Sequence, residues 1–309
     1  MFGRTGLEVS VAGLGCGGHS RLGRTTGATE AESIDLVRRA LDLGVTYIDT
    51  ARAYGTEEIV GRALAGRRDG VLLSTKAGAR GRDRERVNAR TLRGFVEESL
   101  EKLRTDIVDV FHLHGVSDEE YDYCVAELVP ELEDLRTRGS IRFLAISEPF
   151  GRDTGHTMLQ RAVEDDCWDV MMVGFNPLNP SARHRVFPMT VDKGIAVEVM
   201  FAVRRALSRA DELSRVVHEL AAADRIDATG LDLEDPLGFL VHEGGAESVV
   251  DACYRFARHE PGCTVVLTGT GNVAHLEANV RSINGGPLPP GDLDRLTRLF
   301  GHLDHLSAN

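Results

Sequence analysis

The sequence predicts a closed (β/α)8 barrel of the TIM-barrel class, and three observations carry that prediction. Short apolar runs rich in β-branched residues alternate with amphipathic helical patterns along the chain. Eight strand-and-helix pairs can be assigned, the number at which a parallel sheet closes with its helices outside. The 309 residues suit one such barrel with modest insertions, so residues 1–309 are expected to form one α/β domain.

The expected strands are Val11 to Cys16, Thr46 to Ala51, Val71 to Ala77, Ile107 to His114, Ile141 to Ser147, Val170 to Asn176, Ala196 to Met200 and Thr264 to Gly269. Between them the 3.6-residue period predicts helices over Ala31 to Asp42, Glu57 to Ala65, Asn88 to Leu103, Glu119 to Arg138, Thr157 to Asp165, Ser181 to Asp192, Ser208 to Ala222 and Val273 to Ile283. Asp224 to Glu247 breaks this rhythm as a long insertion before the last strand. With Pro236, four glycines and several acids it is too long for a connector and is expected to be a lid or a partly ordered loop. Asp292 to Leu306 reads as an extra C-terminal helix, and no finer repeat is present.

Composition narrows the function classes. A formal charge of -12 and a pI near 5.4 argue against a nucleic-acid or anionic-membrane partner, because both need basic charge. No apolar run approaches a membrane span, and Met1-Phe-Gly-Arg lacks a secretory signature. Cys16, Cys124, Cys167, Cys253 and Cys263 are odd in number and scattered without metal-ligand spacing. These features predict a reduced, cytoplasmic protein without a metal; nothing in them sets the oligomeric state.

The stretch Gly44-Val-Thr-Tyr-Ile-Asp-Thr-Ala-Arg-Ala-Tyr-Gly55 places Asp49 near the carboxyl end of strand two and Tyr54 in the loop beyond. Both can face one cleft, although alone they read equally as a capping aspartate and a surface tyrosine. Lysine occurs only at 76, 102 and 193 among 36 basic residues, and Lys76 sits near the end of strand three. Arginine cannot supply a compact, titratable ammonium. Asp49 on the neighbouring strand is placed to hold it. Strand four ends in His112 and His114, whose spacing of two points both to one face, at the barrel end where active sites sit.

Gly13-Leu-Gly-Cys-Gly-Gly18 contains the glycine spacing of a dinucleotide turn, but no helical pattern opens until Ala31, so the glycines are read as allowing a ligand close to the backbone. Arg80, Arg82, Arg84 and Arg86, interleaved with Asp83 and Glu85, read as a solvated loop near the active face. Trp168 reads as core or groove, and nothing marks Cys16 as a nucleophile.

With Asp49, Tyr54, Lys76 and His114 assembled, the chain resembles the aldo-keto reductase family. Blocks at Gly3 to Gly18, Gly44 to Gly55, Ser74 to Ala77, Asp109 to His114, Gly139 to Ser147, Gly194 to Met200 and Thr268 to Asn279 look like family blocks in the family's order. The resemblance implies a metal-independent reductase that interconverts a small carbonyl compound and its alcohol with a nicotinamide cofactor. It implies Tyr54 as proton donor, Asp49 and Lys76 as its charged support, and His114 rather than His112 as the residue orienting the carbonyl. The adjacent ammonium is expected to bring the Tyr54 phenol closer to neutral pH.

The resemblance also implies a cofactor site at Gly15, Cys16, Gly17, Asp49, Ser147, Glu148, Met172, Met200, Phe201, Ala202, Gly269, Thr270, Gly271, His275 and Asn279. Several of these depart from the family pattern. Its Ser-Asn carboxamide pair becomes Ser147-Glu148, its strand-six Gln becomes Met172, Met200 stands where many members have an aromatic ring, and Gly269 and His275 replace residues that grip a 2′-phosphate. NADP(H) is the expected cofactor, with NAD(H) as the alternative. The altered carboxamide contacts keep open a slow-turnover NAD(P)-binding sensor or regulatory subunit, and the same acid-base set would serve a redox-neutral epimerase.

Overall fold

The computed structural model describes residues 1–81 and 84–309. Eight parallel strands close in chain order, with β8 pairing back to β1. They are β1 (Ala12–Gly15), β2 (Tyr47–Asp49), β3 (Leu72–Ala77), β4 (Val108–Leu113), β5 (Ile141–Ser147), β6 (Val170–Gly174), β7 (Ala196–Met200) and β8 (Val265–Thr268). Each lies within two residues of its expected bounds, the usual uncertainty of an element end.

The helices outside are α1 (Glu30–Asp42), α2 (Glu57–Ala63), α3 (Ala89–Leu103), α4 (Asp118–Tyr123), α5 (Val129–Thr137), α6 (Thr157–Ala162), α7 (Ala182–Arg185), α8 (Phe187–Asp192), α9 (Arg205–Ser208), α10 (Ala210–Ala222), α11 (Val249–Arg258), α12 (Val273–Ile283) and α13 (Pro290–Phe300). Side-chain caps begin several of them. Thr29 and Glu32 close a capping box on α1, and Asn88, Ser248 and Asn272 accept from the first turns of α3, α11 and α12.

Strand alternation sorts side chains into two cores. Ile48, Leu73, Phe111 and Val199 pack outward against the helices, whereas Tyr47, Leu72, Val110, Ala145, Val170, Ala196 and Val265 fill the barrel interior. Phe2 closes the bottom of this interior, its ring 5.4 Å from that of Tyr47. One step up, at period two, the inward positions of β2, β3, β4, β5 and β7 turn polar: Asp49, Ser74, His112, Ser147 and Glu198. The next step reaches Lys76 and His114. The apolar floor therefore fixes which residues meet at the carboxyl end.

Four expectations change. The single helix over Glu119 to Arg138 is interrupted by a π-helical turn at Cys124–Leu128, just before Pro130, which lacks the N–H that would continue the ladder. Pro188 likewise accompanies the division of the 181–192 helix into α7 and α8. Helix α11 was not expected at all, although Ser248 with Asp251 three residues on, ahead of Ala252, Cys253, Phe256 and Ala257, is a legible start signal. The insertion between Asp224 and Glu247 is a packed connection rather than a lid. It buries Ile226, Leu237, Leu240 and Ala246, and Arg255 Nη1 donates to the Gly245 carbonyl at 2.8 Å. The C-terminal helix is present but ends at Phe300.

Candidate active site

The site is built where β2, β3 and β4 end. Parallel pairing sets Asp49 opposite Ser74 and Lys76 opposite His112. Lys76 Nζ donates to Asp49 Oδ1 at 2.5 Å and to the Thr50 carbonyl at 2.8 Å, while Ser74 Oγ donates to the same aspartate oxygen at 3.0 Å. Lys76 is 0% exposed and Asp49 2%, so each charge depends on the other for a partner. Tyr54 follows on a short 3-10 turn, Arg52–Tyr54, which Gly55 ends in the left-handed region at φ 71°. Its ring lies against Gly17, where an added Cβ would stand 2.5 Å from a ring carbon, so only glycine admits the phenol here. The Tyr54 hydroxyl is 3.4 Å from His114 Nε2, with the two rings edge to face. Lys76 Nζ lies 5.1 Å from the Tyr54 ring centroid.

The four residues expected to share a cleft are thus brought together. His114 reaches Tyr54, and His112 does not. Its imidazole is buried within the barrel, with Nε2 3.3 Å from Glu198 Oε1, and Tyr47 donates its hydroxyl to that same oxygen. Glu198, which sequence reading missed, belongs with Asp49 and His112 to a buried polar layer beneath the cleft. Their ligand-type atoms lie within 4.8 Å of one another. Asp49 already has an ammonium partner there. Period-two counting from Ala196 turns Glu198 inward.

Burial pushes the Tyr54 phenol above its ordinary value, outweighing Lys76, which works in the opposite direction. The expected shift toward neutral pH is therefore corrected: desolvation of the phenolate costs more than the ammonium returns. Burial also opposes the Lys76 ammonium, but Asp49, with Tyr54 and Glu198, more than offsets this and raises its pKa. His114 is pushed down to about 3, by burial first and then by Lys76 and His112. At neutral pH the cleft thus holds a protonated phenol, an ammonium and a neutral imidazole. No group of this trio titrates between roughly pH 5 and 8, so any activity depending on them is expected to stay flat there. A limb near the ordinary histidine value of about 6.5 in a pH-rate profile would contradict the neutral His114. The unfolded chain binds that proton near pH 6.5, the folded chain only near 3. Its contribution to stability is therefore complete above about 6.5 and lost as pH falls.

The expected cofactor positions divide into two groups. Around β5 and β6, Ser147 Oγ accepts from Gly115 N–H at 2.8 Å, which leaves its own proton to donate. Glu148 is committed elsewhere. Its carboxylate meets His156 Nδ1 at 2.9 and 3.0 Å and accepts from Gly174 N–H at 2.7 Å, and His156 Nε2 lies 3.1 Å from Ser181 Oγ. The order Ser181, His156, Glu148 resembles an acyl-transfer triad. However, the Ser181 hydroxyl is 2.6 Å from Asn179 Oδ1, so its proton has a competing acceptor. Phe150 stacks on His156 and covers Gly174. Met172 is buried and apolar, leaving Ser147 as the uncommitted polar side chain of the carboxamide set. After β7, Met200 and Phe201 are half-buried and Ala202 is buried.

Around β1 and β8 the backbone approaches closely. A Cβ on Gly269 would stand 3.0 Å from the Gly15 carbonyl, and one on Gly271 would stand 2.4 Å from the Gly23 Cα. The turn leads into α12, where Asn272 caps the His275 N–H, and Asn279 Nδ2 donates to Thr268 Oγ1. Bare backbone N–H groups before a helix suit a phosphate. His275 is exposed, and Thr270 is buried. α1 begins only at Glu30, so the Gly13 to Gly18 run is not a dinucleotide turn.

Other expectations resolve simply. Trp168 is core, donating to the Tyr121 hydroxyl at 3.1 Å. Burial pushes the Cys16 thiol pKa up, which suits an unreactive thiol. Arg80 pairs with Glu120 at 2.5 Å, and Arg86 lies over the Tyr123 ring. Arg82 and Asp83 of that run lie outside the described residues. No helix among the described residues is long and apolar enough to cross a membrane.

A barrel with this arrangement at its carboxyl end defines a class. The Aldo/keto reductase family model matches residues 13–300, and the chain belongs to that family. It is 24% identical over 303 residues to YqkF of Bacillus subtilis (strain 168), called an uncharacterized oxidoreductase, covering 96% of this chain and 94% of that protein. L-galactose dehydrogenase of Arabidopsis thaliana is 35% identical over 153 residues, 47% of each chain. Among solved structures, the holo form of aldo-keto reductase AKR11C1 from Bacillus halodurans superposes with a TM-score of 0.73 at 23% identity, covering 97% of this chain and 95% of the other. An aldo/keto reductase from Klebsiella pneumoniae solved with NADP and acetate superposes with a TM-score of 0.68 at 23% identity, over 94% and 92%.

Proposed function

We propose that the protein is an NAD(P)H-dependent oxidoreductase that interconverts an aldehyde or ketone and its alcohol. The observation that carries this reading is the Asp49, Lys76, Tyr54 and His114 arrangement, with Tyr54 hydroxyl and His114 Nε2 3.4 Å apart at the end of the barrel. A carbonyl accepting hydride develops negative charge on its oxygen, which two converging donors stabilise. The bound nicotinamide supplies the hydride. Tyr54, kept protonated by burial, gives the oxygen its proton and accepts one in the reverse direction. Neutral His114 donates a ring N–H to the same oxygen and sets its orientation. Lys76, held by Asp49, stabilises the phenolate that remains. Ser147 would hold the carboxamide of the nicotinamide, and the Gly269 to Gly271 turn with His275 and Asn279 would hold the phosphates and adenosine. Following NADPH absorbance across a panel of aldehydes and ketones tests the proposal.

One observation favours a second reading, a nicotinamide-binding protein of slow turnover: Glu148 is bound to His156 and Met172 is apolar. In that case the cofactor would bind and no carbonyl in the panel would be reduced.

Cofactor preference follows from charge at the β8 turn. Gly269 offers no side chain and His275 a weakly basic one to a 2′-phosphate carrying roughly -1.5 to -2 near neutral pH. Exposed Arg281, one turn and a half further along α12, adds only screened attraction. Both NADPH and NADH are expected to bind, with the NADPH advantage shrinking as salt increases. Fluorescence titration of each at two salt concentrations checks this. An NADPH preference indifferent to salt would place the phosphate on other residues.

A further inference from the structure

The polar layer beneath the cleft contains a second carboxylate that the proton transfer does not use. Glu198 points inward from β7 and is 0% exposed. Its neighbours in register, Met172 on β6 and Val265 on β8, offer it no charged group. It meets groups from the far side of the barrel instead. Oε1 accepts the Tyr47 hydroxyl and lies 3.3 Å from His112 Nε2, while Oε2 has no hydrogen-bond partner among the described residues. Carboxylate oxygens of Glu198 and Asp49 and a ring nitrogen of His112 all lie within 4.8 Å of one another.

Burying a second carboxylate costs stability unless a positive charge answers it. Among the described residues, the permanent cation bordering this layer is Lys76, held by Asp49 at 2.5 Å and set opposite His112 in the strand register. Asp49 meets that ammonium with Oδ1, an oxygen that Ser74 Oγ also uses, and the other acceptor of Nζ is the neutral Thr50 carbonyl. Lys76 is faced as well by Tyr54 beyond β2, by His114 beyond β4 and by Cys16 beyond β1. Burial keeps the Tyr54 phenol and the Cys16 thiol protonated, so the anions around the ammonium at neutral pH are the two carboxylates. Burial is also the strongest influence on Lys76 and opposes its charge; Glu198 is among the groups that offset it, after Asp49 and Tyr54.

We propose that Glu198 is a positioning residue for carbonyl reduction: as the second anion of the layer it keeps Lys76 an ammonium, and so preserves the charge that supports Tyr54. The inference rests on the carbonyl-reductase reading above. Sealed beneath the cleft, Glu198 acts through Asp49 and Lys76. Removing its charge while keeping its shape should let Lys76 lose its proton at lower pH. The alkaline limb of turnover should follow, because a neutral amine leaves the Tyr54 phenolate unsupported.

The chain has three lysines, 76, 102 and 193, so lysine labelled with carbon-13 at Cε gives three side-chain NMR signals, assigned with Lys102→Arg and Lys193→Arg. In wild type the Lys76 signal is expected to titrate above the ordinary lysine midpoint. In Glu198→Gln its midpoint is expected to fall by at least about one pH unit, the low end for a charge a few ångströms away. The alkaline limb of kcat for aldehyde reduction is expected to move the same way, and Glu198→Asp, which keeps the charge, to stay near wild type in both. Denaturant melts of each variant separate lost stability from the titration shift. An unchanged Lys76 midpoint in Glu198→Gln would overturn the proposal, since Tyr47 and His112 would then answer the carboxylate by themselves. A shift in Glu198→Asp as large as in Glu198→Gln would overturn it too, because shape and not charge would be responsible. Should Glu198→Gln not fold, the double variant Tyr47→Phe with Glu198→Leu, which removes donor and acceptor together, is read in the same way. If wild type reduces no aldehyde, the reductase reading fails separately, and the lysine titration still decides the part played by Glu198.

Discussion

Tyr54→Phe is expected to lower carbonyl reduction by at least about 10²-fold while leaving cofactor affinity in place, the low end of what a positioned acid contributes. The change removes one oxygen from a ring that Gly17 and His114 already hold, so the fold around it has no reason to move. The loss should appear in kcat, because the proton is needed as the alkoxide forms and not when substrate binds. His114→Ala should also reduce turnover much more than His112→Ala, since His112 faces Glu198 inside the barrel. Steady-state rates on folded variants check both. Near-wild-type turnover of Tyr54→Phe would remove the tyrosine from the chemistry, and the reverse ranking of the histidines would move the working imidazole one layer down.

Lys76→Met should be more damaging to the protein as a whole. It leaves Asp49 buried with its charge uncompensated, and removing one partner of a buried pair costs about 3–5 kcal/mol. Denaturant melts of wild type and variant read that loss directly. Lys76→Arg keeps the charge, yet a longer planar group must enter a position that is 0% exposed and already makes contacts at 2.5 and 2.8 Å. It is expected to lose stability and not to restore turnover. An arginine variant with wild-type rate and pH profile would mean that Lys76 does not act on Tyr54.

The barrel was legible because its strands are short, β-branched runs that a parallel sheet buries on both faces. The cleft was legible because alternation is strict. Once Leu72 and Val110 belong to the floor, Lys76 and His114 must stand two steps above it. What escaped the sequence depends on contacts that no local pattern encodes. Glu198 sits in an apolar strand and becomes important only when β7 closes beside β6 and β8, bringing it to His112 and Tyr47. Glu148 is legible as a departure from the family pattern, but its pairing with His156 needs the left-handed turn at His156, φ 60°, which a histidine rarely adopts and its sequence does not announce. The interruption at Cys124–Leu128 follows from Pro130, a signal that was present and outweighed by the surrounding helical period. The phenol pKa is not legible for a different reason: charge neighbours can be read from a motif, whereas the depth of burial cannot.

The most direct test of the account follows the hydride itself. Protein incubated with NADPH carrying deuterium at the transferable C4 position and a reducible aldehyde should yield an alcohol with one deuterium on the carbinol carbon, delivered from one face of the nicotinamide and formed at least about 10²-fold more slowly by Tyr54→Phe. Bound cofactor with no deuterium in any alcohol across the aldehyde panel would contradict carbonyl reduction as the function of this site.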